Sequence, residues 1–220
     1  MIHVEPAAEP EEFDARVRQP GGEALRELIG ETPTKPRPVV IDGVPATRVD
    51  DLPPEKLPDL WTRALDDMLA GYGRICAYVA VYIERVTGAA TIDHWIPKSR
   101  DPHLAYEWSN YRLGCSKMNG RKSVRVDLVD PFEVRDGDFS LELVGFQVLP
   151  GVEPDHPRFA ALTATIDAFK LNDYECCALR GEYFAAYRDG DIGLSYLETR
   201  APFVAREVRR QGWLRVGDAG

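Results

Sequence analysis

A chain of 220 residues, 44% hydrophobic and 29% charged, can bury one sizeable core or one small catalytic unit with additions. Its net charge of −9 argues against a broad surface for coating nucleic acid, and no apolar stretch reaches the length of a membrane-crossing helix. The acidic start Met1–Phe13 lacks the basic and apolar stretches of a signal peptide. Cys76, Cys115, Cys176 and Cys177 follow no regular spacing, so a reducing cytoplasm is the expected compartment.

In chain order, residues 1–32 read as mainly helical and polar. Residues 33–58 hold seven of the seventeen prolines, a density that excludes a helix. Within them Val39-Val40-Ile41, Asp42-Gly43 and Val44 predict a small hairpin, because Asp-Gly favours a type I′ turn. Asp59 is the expected N-cap of an amphipathic helix that places Leu60, Trp61, Ala64, Leu65, Met68 and Leu69 on one face and stops at Gly71 and Gly73. Gly88 precedes a β-β-α unit expected from about Ala89 to Val124. Further on, Phe139, Leu141 and Leu143 alternate with polar residues as in a half-buried strand. Pro157 opens a helix carrying Phe159, Leu162, Ile166 and Phe169, and Asn172 is the expected cap of another with Tyr174, Cys177, Phe184 and Tyr187. A last helix is expected over Pro202–Gln211, stopped by Gly212. The boundaries are an N-terminal helical and Pro-rich extension at 1–58, a core with its leading helix at 59–125, and a hairpin with C-terminal helices at 126–220.

The chemistry concentrates in residues 91–123. Asp93-His94 closes a short apolar strand, Asn110 opens a second one, and Asn119 follows in a short polar segment with Lys117, Arg121 and Lys122. Hydrolysis of a phosphodiester needs a base for water, oxygen ligands for a hard cation, and positive charge for the phosphates. His94 is suited to the first role because imidazole titrates near neutrality; the alternative is a hydrogen-bonded core histidine. Residues 98–125 carry seven bases against Asp101 and Glu107, a local charge of +5 on an acidic chain, which suggests a local phosphate site. Lys98, Arg121 and Lys122 are the candidate phosphate contacts, or else ordinary solvated cations.

This order of groups resembles the HNH, or ββα-metal, endonuclease family, on Asp93-His94, Asn110 and Asn119, with Pro97-Lys98-Ser99 and Asn119-Gly120-Arg121-Lys122 agreeing around them. The resemblance implies an α+β fold in which a ββα-metal core is embedded in a mostly helical protein with small β-hairpins. It implies a metal-dependent endonuclease acting on nucleic acid, DNA rather than RNA, with His94 as the base. Asp93 and Asn119 would be ligands of a catalytic Mg²⁺ or Mn²⁺, and Asn110 would brace the long loop after His94.

Many members of that family frame the unit with two Cys-x-x-Cys pairs binding zinc. Here Cys76-Ala77-Tyr78-Val79 and Cys115-Ser116-Lys117-Met118 have each lost the second cysteine, so no structural zinc is expected. Either packing has replaced the metal or these positions never bound one. Residues 58–190 are also similar to the HNH subunit of Septu-type antiphage systems, which occur beside some retrons and work with an ABC-type ATPase subunit. That likeness rests on Cys76-Ala77-Tyr78, Ile92-Asp93-His94, Trp108-Ser109-Asn110, Asp130-Pro131 with a following hairpin, Leu171-Asn172 and Leu179-Arg180. Two other functions stay open: a catalytically inactive HNH fold serving as a nucleic-acid-binding or scaffold subunit, and a protein-interaction domain whose basic island docks an acidic partner.

Overall fold

Pro6 and Pro10 keep the first dozen residues out of helix. In the computed structural model, which describes residues 1–31 and 35–218, that segment is irregular and lies across the protein. The Val4 amide donates to the Pro131 carbonyl (3.0 Å), and Trp108 Nε1 donates to the Ala7 carbonyl (2.9 Å). Helix therefore begins only at a π-helical turn, Asp14–Arg18, which runs into α1 (Gln19–Leu28). Residues 1–32, expected to be mainly helical, are so only from Phe13 on, because those two prolines interrupt the start; Thr32 and Pro33 lie outside the described residues. Gly21 lets α1 press on Tyr106, since a Cβ there would stand 2.2 Å from the tyrosine ring.

The expected hairpin forms from β1 (Val40–Ile41) and β2 (Val44–Pro45), with Asp42 (φ 50°) and Gly43 (φ 83°) at its turn. The amphipathic segment after Asp59 starts as a 3₁₀ helix, Leu60–Ala64, and becomes α2 only at Leu65–Gly71. The Asp59 side chain does not cap it. Trp61, Ala64 and Met68 are buried on the anticipated face.

β3 (Ala90–His94) pairs antiparallel with β4 (Tyr111–Cys115), the register running from Ala90 opposite Cys115 to His94 opposite Tyr111. α3 (Ser116–Lys122) follows at once and packs on both strands. A tight turn at 76–80 docks beside β4, with the Ala77 amide on the Leu113 carbonyl (2.8 Å) and the Ala80 amide on the Cys76 carbonyl (2.9 Å).

A third antiparallel pair joins β5 (Phe139–Leu141) to β6 (Val148–Pro150). α4 (Phe159–Ala168), α5 (Tyr174–Asp189), α6 (Leu194–Arg200) and α7 (Pro202–Arg210) complete the chain. Asp173, not Asn172, caps α5 by accepting from the Cys176 amide (2.8 Å). Asn172 instead brackets Val148 on β6, accepting from its amide (2.7 Å) and donating to its carbonyl (2.9 Å). α6 was not anticipated. The fold is thus α+β, mostly helical with small antiparallel pairs. Buried residues from Phe13 to Val208 form one continuous core across all three sequence segments. Among the described residues no helix is long and apolar enough to cross a membrane.

Candidate active site

Asp93 and His94 are adjacent, so strand alternation sends them to different neighbours. His94 lies with its ring edge-on to Trp61 (4.9 Å between centroids) and Tyr111 (5.3 Å). Its Nε2 is 2.8 Å from the Ala105 carbonyl oxygen. A carbonyl only accepts, so Nε2 carries the proton and Nδ1 is left with its lone pair. Burial pushes the His94 pKa down to about 4, with Lys98 and Lys122 adding to the effect, so the imidazole is neutral at pH 7.

Asn110 acts at the neck of the 95–109 loop. Its Oδ1 accepts from the Ile96 amide (2.7 Å), while Nδ2 donates to the carbonyls of Ile96 (3.0 Å) and Leu104 (3.1 Å). Its own carbonyl accepts from the Trp95 amide (2.8 Å). One buried side chain therefore latches both sides of the loop that leads away from His94 and returns to β4.

Asp93 is 4% exposed, and burial raises its pKa to about 6 against the opposing pull of Lys122 and Tyr78. The Tyr78 hydroxyl donates to Oδ2. Lys122 Nζ stands 3.4 Å from both carboxylate oxygens and donates to the His94 carbonyl (2.8 Å). Asn119, on α3, donates from Nδ2 to Thr91 Oγ1 (3.2 Å), and its Oδ1 has no hydrogen-bond partner among the described residues.

Asp93, His94, Lys98 and Asn119 line one cleft of about 330 Å³ together with Trp61 and Ser123. Lys98 Nζ sits over the Trp61 ring at 3.5 Å. Asn110 is not in the lining and acts from behind. Two of the three expected phosphate contacts are placed otherwise. Lys122 is fully buried behind Asp93. Arg121 points away to α5, bonding the Phe169 carbonyl (2.9 Å) and the Asp173 carboxylate. Arg112 is also internal, in a bidentate pair with Asp130 (2.7 and 2.5 Å) over the Phe132 ring. Lys117 pairs with Glu175 and Arg125 with Asp127, so Lys98 and Arg100 are the island's cations without a carboxylate partner among the described residues. Arg112, Arg121 and Lys122 form an internal brace, their cationic side chains folded onto acids elsewhere in the chain.

Tyr78, Trp61 and Ser123 were missed as site residues. Trp61 was assigned to a helix face, which it also occupies. Tyr78 stood in the Cys76-Ala77-Tyr78 motif, but nothing local marked its link to Asp93, fifteen residues away.

The donors the cleft offers are the Asp93 carboxylate, the Asn119 amide oxygen and His94 Nδ1. Among the described residues, no group of three His, Cys, Asp or Glu side chains converges. The set is oxygen-dominated and sparse, which fits a hard cation retaining several waters and does not fit closed tetrahedral zinc. At the other end of β4, Cys76 and Cys115 line one cavity, and burial, with Cys115 beside it, holds the Cys76 thiol well above the usual thiol range. Val79 and Met118 are buried apolar residues.

No protein-family model matches the chain, and no curated protein matches it.

Proposed function

We propose that the chain is a metal-dependent endonuclease of the HNH, or ββα-metal, class, with β3, β4 and α3 as its ββα unit. What carries this reading is His94: a neutral imidazole fixed by the Ala105 carbonyl, its Nδ1 without a partner among the described residues, sharing one cleft with Asp93 and Asn119. A base must be neutral, oriented and within reach of water, and these contacts meet the first two conditions.

In this mechanism His94 Nδ1 takes a proton from the water that attacks phosphorus. Nε2 stays bonded to Ala105, so the imidazolium that forms keeps its orientation. Asp93 and Asn119 would hold a Mg²⁺ or Mn²⁺, which supplies stabilisation of negative charge at the leaving 3′ oxygen. Lys98, held over Trp61 at the wall of the cleft, contacts the phosphate. Asn110 keeps the loop neck closed and the Ala105 carbonyl in place. The products are 5′-phosphate and 3′-hydroxyl ends, on DNA in preference to RNA. The resemblance to Septu-type subunits makes the chain the effector of a bacterial antiphage system acting beside an ABC-type ATPase partner.

A second reading, an inactive HNH fold that binds nucleic acid or serves as a scaffold, is favoured by one observation: both Asp93 oxygens already have partners. Incubation with plasmid DNA and with bulk RNA, in Mg²⁺ or Mn²⁺ against chelator and with or without partner subunits, separates the two. Metal-dependent cutting that is lost in His94→Ala supports the nuclease. Salt-sensitive binding without cutting under every condition supports the scaffold.

A further inference from the structure

We propose that Tyr78 is the positioning residue of the cation site, setting the rotation of the Asp93 carboxylate and thereby the affinity for a divalent cation. The inference rests on Asp93 being a cation ligand. Rotation about the last bond of an aspartate is soft, with broad minima. Lys122 cannot choose among them: its Nζ is 3.4 Å from Oδ1 and 3.4 Å from Oδ2, and its shorter bond (2.8 Å) goes to the His94 carbonyl. The ammonium supplies charge without preference. The Tyr78 hydroxyl bonds Oδ2 alone and so breaks the symmetry, turning the remaining lone pairs of the carboxylate toward the cleft.

The hydroxyl is itself held from three sides. The Tyr78 ring is fully buried and stacks on Phe169 with centroids 4.4 Å apart and planes 21° from parallel. Its other flank lies on β4, where a Cβ at Gly114 would come within 3.3 Å of it. Its backbone belongs to the turn at 76–80, pinned to β4 through the Ala77 amide. Partners that orient a metal-binding carboxylate typically change metal affinity by about 10–100-fold when removed.

The test is Mn²⁺ binding to the full chain, read by electron paramagnetic resonance and calorimetry, for the unaltered protein and for Tyr78→Phe, Asp93→Asn and Phe169→Leu, with melting temperatures alongside. Tyr78→Phe keeps the ring and its stack. Its Kd for Mn²⁺ should rise by about 10–100-fold, and raising Mn²⁺ should restore cleavage. Phe169→Leu loosens the same ring without removing the hydroxyl, so it should lower the melting temperature and raise the Kd less than Tyr78→Phe does. If Asp93→Asn abolishes binding while Tyr78→Phe binds as the unaltered protein does, the Tyr78 role is wrong and the cation site stands. If Phe169→Leu weakens binding as much as Tyr78→Phe, packing rather than the hydroxyl sets the affinity, and the role is again wrong. Equal Mn²⁺ binding in Asp93→Asn and the unaltered protein would remove the cation site itself and the inference with it.

Discussion

At one end of the β3–β4 pair, where His94 faces Tyr111, the interior is crowded with polar groups; at the other, where Ala90 faces Cys115, it is apolar. The first end holds Asp93, His94, Asn110, Arg112 and Lys122, all buried and all hydrogen-bonded. The second holds Cys76 and Cys115 on the wall of a cavity of about 320 Å³, with Val79, Val81, Ile83 and Tyr183. A buried polar group is costly unless satisfied, and a satisfied network fixes one geometry. Polarity is concentrated where orientation matters. Where two segments need only to be held together, contact between apolar side chains suffices.

The largest effect expected from breaking the polar end comes from its base. His94→Ala should cut slower by about a hundred- to ten-thousand-fold, with the fold retained in circular dichroism. Cutting at the unaltered rate would rule out His94 as the base. Asn110→Ala leaves the Ile96 amide and the Ile96 and Leu104 carbonyls short of partners, so it should cost about 2–4 kcal/mol in denaturant unfolding and lower the rate with it. Stability and rate both unaltered would leave the latch without a function.

The apolar end can be pushed the other way. Because Cys76 and Cys115 line one cavity, Val79→Cys combined with Met118→Cys should take up one zinc per chain and make melting sensitive to chelator. The unaltered protein should contain no stoichiometric zinc, since two thiols leave half a tetrahedral shell empty. One zinc per unaltered chain in elemental analysis would mean that unrecognised ligands complete the site.

The smallest effect compares the two ends directly. Each holds a residue other than glycine at positive φ: Ala80 (54°) in the turn at 76–80 and Ser123 (53°) at the cleft. Replacing either by glycine should relieve strain and raise stability by about 1 kcal/mol. Ser123→Gly should also change cutting, because Ser123 lines the cleft, and by more than Ala80→Gly, which reaches the site only through the turn that carries Tyr78. Equal activity in both variants would place Ser123 outside the working site.

The polar end was the more readable in sequence. Asp93, His94, Asn110 and Asn119 are short-range marks around two strands and a helix, and the family resemblance they carry implied one site; the cleft is lined by three of them. What the spacing concealed were partners from afar. Tyr78 and Trp61 reach the site through packing, which no local pattern records. Lys122 was readable in hindsight: it stands four residues after Met118 on α3, so helical periodicity puts both on the same buried face. Counting charge along the chain made it a phosphate contact or a solvated cation, and it is neither exposed nor in the cleft lining. The exchange of Asn172 for Asp173 as the cap of α5 has a similar origin, since the β6 backbone at Val148 took the asparagine. α6 went unnoticed because it is seven residues long, followed directly by Ala201-Pro202.

The placing of Asn110 at the neck of its loop, rather than along it, separates two kinds of change. Residues 104–106 and 95–96 are tied to the latch and to His94, while Ser99 and Arg100 at the tip are exposed. The tip can therefore be lengthened, shortened or recoded at little cost to the geometry of His94. On the proposed nuclease reading, recognition and cutting are separately adjustable, and a lineage could vary the one while preserving the other.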